Sequence, residues 1–466
     1  MTAESVSDSH RSILPLFLGV LLIPAILGSS QTIFNDGDVS WHIATGQWIL
    51  DHRAIPHTDP FSYTWAGKPW VPIEWLAEVC YAAAYRLAGY GGVAALVTAA
   101  LIALHALVFT NATRFVRPWT ALGVIVLLDV TLIPMLLARP HVLAWPLLAL
   151  WLWLMLRARD RDRAPPLIAA LLMSLWANLH GSFVFGLAIA AAFGIEALVS
   201  STDKAGAFRQ WLVFGIACAI AVFINGNGVE GVLHPLRFTH LQMLPLIDEW
   251  KPSSPARTPF FFAALAVAVA LIAWKRPRLH WVRWLLLVGF VGLALLQTRH
   301  QSLLAIVAAM LLPVGFTRDD RAVAAAPAMR RVAAGGAVLV IALRSFLPLT
   351  PPDNEANPWK LIAAIPSDLR SQPVLNGYSM GGPLILSGIR PYVDGRGDMY
   401  GDELVVGYYR IVQGDPKALS DAVGRWKIRW AILGSRSKLI PLLDRSPGWR
   451  RIRQDKVGAI YVRDAV

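Results

Sequence analysis

This chain of 466 residues is poor in two things, cysteine and charge. Its two cysteines, Cys80 and Cys218, lie far apart and in or beside apolar stretches. That excludes a disulfide framework and a cysteine-based metal site, and it reads the two thiols as small buried hydrophobes. Charged residues make up 16% and apolar residues 56% of the chain. A soluble globule has about 25% charged and about 45–50% apolar residues, so both departures point toward a bilayer, as does the mean hydropathy of +0.50. No segment repeats at a fixed period and no low-complexity stretch stands out.

Charge, though scarce, is unevenly signed: 43 Lys and Arg against 30 Asp and Glu, a net charge of +13. A basic balance raises nucleic acid as a partner, but most of the Arg and Lys sit in short breaks between apolar runs, which excludes it. The runs are 12–29, 91–112, 119–137, 141–156, 165–178, 182–200, 210–225, 259–274, 281–297, 301–316 and 332–349. A helix crosses the hydrocarbon core in about 20 residues. One set of breaks holds Arg114 and Arg117; Arg157, Arg159, Arg161 and Arg163; Lys204 and Arg209; Lys275, Arg276, Arg278 and Arg283; and Arg318, Arg321, Arg330 and Arg331. The alternate set is poor in positive charge. The bias of basic loops toward the cytoplasm predicts about 11 transmembrane helices, the N-terminus inside, and 31–90, 226–258 and 350–466 outside. The first run carries Glu4, Asp8 and Arg11 at its head. It is longer than the apolar centre of a signal peptide, so a retained helix is expected.

Asn35-Asp36-Gly37-Asp38-Val39-Ser40-Trp41-His42 follows that first run and sets two carboxylates and a histidine at the membrane's lip. Ionisable groups there are costly to hold and are usually functional. A helix starting near Asp38 puts Asp38 and His42 one turn apart on one face. Asp38 then reads either as a helix cap or as a general base or metal ligand. The segment from Trp41 to Leu50 is expected to lie along the interface as an amphipathic helix, with Trp65, Trp70 and Trp75 in a headgroup-level belt. Glu74 and Glu78 share a helix face between Ile73 and Leu87. Arg139-Pro140-His141, Asn178-Leu179-His180-Gly181, Arg299-His300, and His234 with Arg237 all fall in outward breaks. Arginine there offers a bidentate grip on a lipid phosphate. Within the spans, Asp129 and Glu196 stand singly, without an obvious partner in the sequence.

The chain has two parts by composition: a helical membrane domain, 1–349, with a long first outer loop at 31–90, and a small α/β extracytoplasmic domain, 350–466. In the latter, 374–376, 390–394 and 429–433 read as strands, and 451–453 with 459–462 as a closing hairpin. Segments 382–388, 402–412, 416–423 and 437–443 read as helices. Asp394-Gly395-Arg396-Gly397-Asp398-Met399-Tyr400-Gly401 reads as a solvated loop with an internal Asp–Arg pair, as a site that recognises an acceptor, or as a cover over the acidic loop.

These residues carry a resemblance. Asp38-x-x-Trp41-His42-x-x-x-Gly46, Ile55-Pro56-x-x-Asp59-Pro60-Phe61-Ser62, and Trp70 with Glu74-Trp75-Leu76 resemble the first outer loop of bacterial multispanning proteins related to the GT-C glycosyltransferases. Arg139-Pro140-His141, Trp176-x-Asn178-x-His180-Gly181 and Asp394-Gly395-Arg396 to Tyr400 are similar to later motifs of that group. The resemblance implies a polyprenyl-phosphate-linked sugar donor and a glycan, lipid or protein acceptor, at the outer face of the bacterial cytoplasmic (inner) membrane. It gives Asp38 the role of base, with Asp36 as helper, and makes His42, Glu74, Arg139, His141, His180, Arg299 and His300 substrate-binding candidates. A divalent metal ion on Asp36 and Asp38 is possible by the same resemblance, although nearby carboxylates are few and no cofactor is certain. The alternative is a non-enzymatic transporter, flippase or assembly factor for lipid-linked glycans, whose marker is charged residues buried at mid-membrane.

Overall fold

The computed structural model describes residues 14–238, 240–316 and 327–464. The head-group residues Glu4, Asp8 and Arg11, and Arg318 and Arg321 of the last basic break, lie outside these. In chain order the helices are α1 Leu14–Gly28, α2 Asp38–His52, α3 Trp75–Ala112, α4 Pro118–Leu132, α5 Pro140–Arg159, α6 Leu167–Leu179, α7 Phe183–Ser200, α8 Lys204–Ala221, α9 Gly228–Phe238, α10 Pro259–Lys275, α11 Trp281–Leu296, α12 Gln301–Leu311 and α13 Pro327–Phe346. A helix lies at each of the eleven apolar runs. Among the described residues four are long and apolar enough to cross a membrane by length and composition: α3, α4 with its continuation to Met135, α5 and α7. The helices α1, α6, α10 and α11 are apolar and shorter. The protein is a multi-helical membrane protein, and its largest core is shared by α1 to α8 and α10 to α12.

Local chemistry sets the helix starts. Pro118, Pro140 and Pro259 each open a helix, where the missing N–H costs nothing and φ is already helical. Asp203 caps α8 through the Gly206 N–H at 2.9 Å. The long α3 breaks at Ala88 and Gly89, where Gly89 takes φ +56°. The kink separates a first segment that carries Glu78, with Glu74 at its N-terminal cap, from the rest of the helix.

The C-terminal part adds α14 Trp359–Ala363, β1 Val374–Asn376, α15 Gly381–Leu386, α16 Gly397–Val412, α17 Pro416–Trp426, β2 Trp430–Gly434, α18 Leu439–Arg445, β3 Trp449–Gln454 and β4 Gly458–Arg463. The sheet order is β1-β2-β4-β3: β1 runs parallel to β2, and the other pairs are antiparallel. Both faces are covered. Ala431 and Leu433 join one core with α16 to α18, while Trp430 and Ile432 join another with Leu361 and Ile362 of α14. That is why β2 reads as an unbroken apolar run. The expected strand at 390–394 is not one. Its backbone is held instead by the Asn376 side chain, which accepts from Tyr392 N–H at 2.8 Å and donates to Val393 O at 2.7 Å.

Three more expectations are corrected. The helix α2 does not lie along an interface: Val39 to Gly46 and Ile49 are all buried, between α3 and α15. Gly46 makes this possible, because a Cβ there would overlap the Glu78 carbonyl. Trp70 is 4% exposed and sits in the core shared with the C-terminal part, not in a belt. Asp129 and Glu196 both have partners. His105 Nε2 lies 3.0 Å from Asp129 Oδ1, and the same ring reaches Gly19 O at 3.0 Å. Glu196 accepts from Arg283 at 2.7 and 2.8 Å and from Arg159 at 3.3 Å. Tertiary neighbours 24 and 87 residues away supply these partners, which no local pattern could reveal.

Candidate active site

One cavity of about 1470 Å³ is lined by the first outer loop, the starts of α5, α7, α10 and α12, the 226–258 loop and the C-terminal part. Helix starts point backbone N–H groups and partial positive charge outward, so this end of the bundle is pre-set for anions. All nine residues singled out from the sequence line it: Asp36, Asp38, His42, Glu74, Arg139, His141, His180, Arg299 and His300. The basic-break residues meet elsewhere, as the Arg114–Asp160 and Arg159–Glu196–Arg283 contacts show.

Asp38 is the first residue of α2, and it does not cap the helix. Asp36 takes that part, its Oδ1 accepting the Asp38 N–H at 3.2 Å. Arg139 precedes Pro140, and its backbone is extended at φ −121°, ψ 161°, as proline demands of the residue before it. Its guanidinium reaches into the cavity and binds three carboxylates: Asp36 through Nε, Asp38 at 2.8 Å and Glu249 at 3.0 Å. Arg299 lies 3.9 Å from Glu249 and stacks over Trp250 at 4.2 Å. Three acids thus share two cations, and one acid is in excess. Burial raises Asp38 to about 7, with Arg139 opposing and Asp36 and Glu249 adding to the rise. Burial pushes Glu249 up as well, but Arg139 and Arg299 outweigh it and hold that carboxyl below its ordinary value.

A second grouping is built of imidazoles and carboxyls. His42 Nδ1 lies 3.4 Å from Glu78 Oε1, and His180 Nε2 lies 3.4 Å from Glu74 Oε1. His180 Nδ1 accepts the Ser182 N–H at 3.1 Å, which leaves Nε2 as the donor toward Glu74. His141 donates from Nε2 to Met135 O at 3.0 Å, with its ring 6.3 Å from that of His180. His300 packs on Phe185, with Nδ1 3.4 Å from Leu293 O. Burial raises Glu74 to about 8 and holds His42 and His180 well below the usual histidine range.

The segment from Asp394 to Gly401 is not a solvated loop. Asp394 and Arg396 are 0% and 1% exposed. The expected Asp–Arg pair is present, at 2.6 and 2.8 Å, and Arg396 also binds Asp59 of the first loop at 2.7 Å and stands over the Trp70 ring. This clamp brings Gly395 onto Asp38 so closely that a Cβ would overlap its carboxylate. Sequence reasoning missed Glu249, Trp250, Tyr378 and Asp398 as cavity residues, and also the 2.9 Å His234–Asp398 contact. They come from the 226–258 loop and the C-terminal part, and no spacing ties those to Asp38.

The arrangement does not suit a metal ion as it stands. The Arg139 guanidinium occupies the point where Asp36, Asp38 and Glu249 converge. Among the described residues no three His, Cys, Asp or Glu are grouped to hold one.

No family model matches the chain. A stretch of 81 residues, 17% of the chain, is 33% identical to the glycerol-3-phosphate acyltransferase of Roseiflexus sp. (strain RS-1) and spans only 39% of that protein. The oligosaccharyltransferase of Archaeoglobus fulgidus in its apo form aligns over 92% of this chain and 69% of its own, with a TM-score of 0.55 at 11% identity. The archaeal oligosaccharyltransferase AglB from Archaeoglobus fulgidus, in complex with an inhibitory peptide and a dolichol-phosphate, aligns over 96% of this chain and 74% of its own, with a TM-score of 0.54 at 10% identity. The chain therefore has the fold of this oligosaccharyltransferase, a GT-C-type fold.

Proposed function

We propose that the protein is a membrane glycosyltransferase that moves a sugar from a polyprenyl-phosphate-linked donor to a glycan, lipid or protein acceptor at the outer face of the bacterial cytoplasmic membrane. In this reading the eleven helices cross the bilayer, and residues 350–466 lie outside as a domain over the cavity. The observation that carries it is the pairing in one cavity of a buried carboxyl near pKa 7, Asp38, with two arginines, Arg139 and Arg299. The shared fold with an enzyme captured with dolichol-phosphate supports the donor class.

The residues divide the chemistry among themselves. Asp38, once ionised, takes the proton of the acceptor hydroxyl as its oxygen bonds to the anomeric carbon. The bond from that carbon to the lipid phosphate breaks, and Arg139 and Arg299 stabilise the departing anion, a role worth several kcal/mol in a water-poor site. Arg139 is engaged by Asp36, Asp38 and Glu249.

The test replaces Asp38 with Asn and profiles the glycans of the host envelope, with folding checked by thermal melting. Loss of one glycan with the protein intact is expected. An unchanged profile refutes the proposal.

A further inference from the structure

We propose that the part of the cavity around Glu78 is the donor's sugar subsite, shaped for an uncharged, hydroxyl-rich ring, and that Glu78 is its specificity-determining residue. This rests on the donor reading above, and it goes further by naming the class of sugar.

The first observation is unfilled bonding capacity. Glu78 is 1% exposed and Trp145 is 1% exposed, and both line the cavity. Glu78 Oε2 and Trp145 Nε1 have no hydrogen-bond partner, nor does Oε1 of Gln297 in the same lining. Buried polar atoms left without a partner are costly and call for an explanation. Three such atoms on residues that line one cavity are explained by a ligand that offers hydroxyls, since each hydroxyl both donates and accepts. The other Glu78 oxygen is already held by His42 at 3.4 Å, so the carboxyl is oriented before anything binds.

The second observation is the company these atoms keep. Around Glu78 stand His42, His141, His180 and Glu74, drawn from α2, α3, α5 and the α6–α7 junction. The cavity's full charges are gathered on Arg139, Asp36, Asp38, Glu249 and Arg299 instead. Burial keeps Glu74 protonated at neutral pH and His42 and His180 uncharged. A uronate carboxylate placed there would lose its hydration without a cation to offset the loss. An ammonium-bearing sugar would need an ionised Glu78 and would share its cavity with two guanidiniums.

The test measures binding to the full-length protein in nanodiscs. The probes are farnesyl phosphate, its glucose, galactose and mannose adducts, and the matching uronates. At least one neutral hexose should bind about tenfold or more tighter than farnesyl phosphate alone, and no uronate should. Glu78→Ala should erase that gain while leaving farnesyl phosphate binding unchanged, which also shows that the variant is folded. Glu78→Gln, which keeps an uncharged donor and acceptor, should retain the gain to within about threefold. A gain that survives Glu78→Ala overturns the assignment, as does the absence of any hexose gain. Loss of the gain in Glu78→Gln instead assigns Glu78 as a charged partner and refutes the uncharged-sugar class. If the wild-type protein fails to bind farnesyl phosphate, the donor reading itself falls and this assignment falls with it.

Discussion

The ionisation of Asp38 is the point at which the proposed chemistry is most exposed to measurement. Aspartate in water titrates near 3.9, whereas burial raises Asp38 to about 7. The sign follows directly. The proton-bearing form is favoured in the folded protein, so the form able to act as base is lost as pH falls through 7. A carboxyl at 7 is roughly one-tenth ionised at pH 6 and nine-tenths at pH 8, so a step that needs it ionised gains about tenfold across that interval. The raised value also means that ionising Asp38 works against folding, so Asp38→Asn should abolish transfer and raise the melting temperature at pH 8. Its neighbours set the direction of further shifts. Arg139→Ala removes the cation at 2.8 Å and should move the midpoint up, and Glu249→Gln removes a like charge and should move it down. Infrared difference spectra of wild type against Asp38→Asn, followed with pH, report the protonated carboxyl directly and need no substrate. A midpoint in the ordinary carboxylate range refutes the reasoning, and so does transfer that stays level from pH 6 to 8.

Three further outcomes are expected. Arg396→Ala should cost about 3–5 kcal/mol, because it strands the buried Asp59 and Asp394; chemical denaturation of the purified protein measures it, and a cost below about 1 kcal/mol contradicts the clamp. Gly395→Ala should lower transfer at least about tenfold by pressing on the Asp38 carboxylate, while Gly407→Ala, where a Cβ meets open space, should leave it unchanged; equal activity in the two variants removes Gly395 from the site. His105→Leu should destabilise the protein by leaving Asp129 buried without its partner, and the double change with Asp129→Leu should recover most of the loss; a double variant as unstable as the single one would show that the pair does more than neutralise itself.

The sequence by itself determined a great deal. Apolar runs placed a helix at each of eleven positions, because apolar length is what a bilayer demands of a backbone that must satisfy its own hydrogen bonds. The turn chemistry after Val374 placed β1, β2 and the β3–β4 hairpin. The segment after the first apolar run and the breaks poor in positive charge supplied nine cavity-lining residues, because charge between apolar runs is costly and therefore conspicuous in an apolar chain. What failed was everything decided by partners remote in the chain. An alternating pattern cannot tell a helix on a membrane surface from one buried between two elements, and α2 is of the second kind. The segment from Asp394 to Gly401 has the composition of a solvated loop, yet Asp59, 337 residues from Arg396, makes its charge at home in the interior. Glu249 entered the site in the same way, through an arginine 110 residues distant. Hydrophobic periodicity is written locally and survives in sequence. The neutralisation of one charge by another, and the shift in pKa that follows, exist only once the chain has folded and the two groups share a region that water has left.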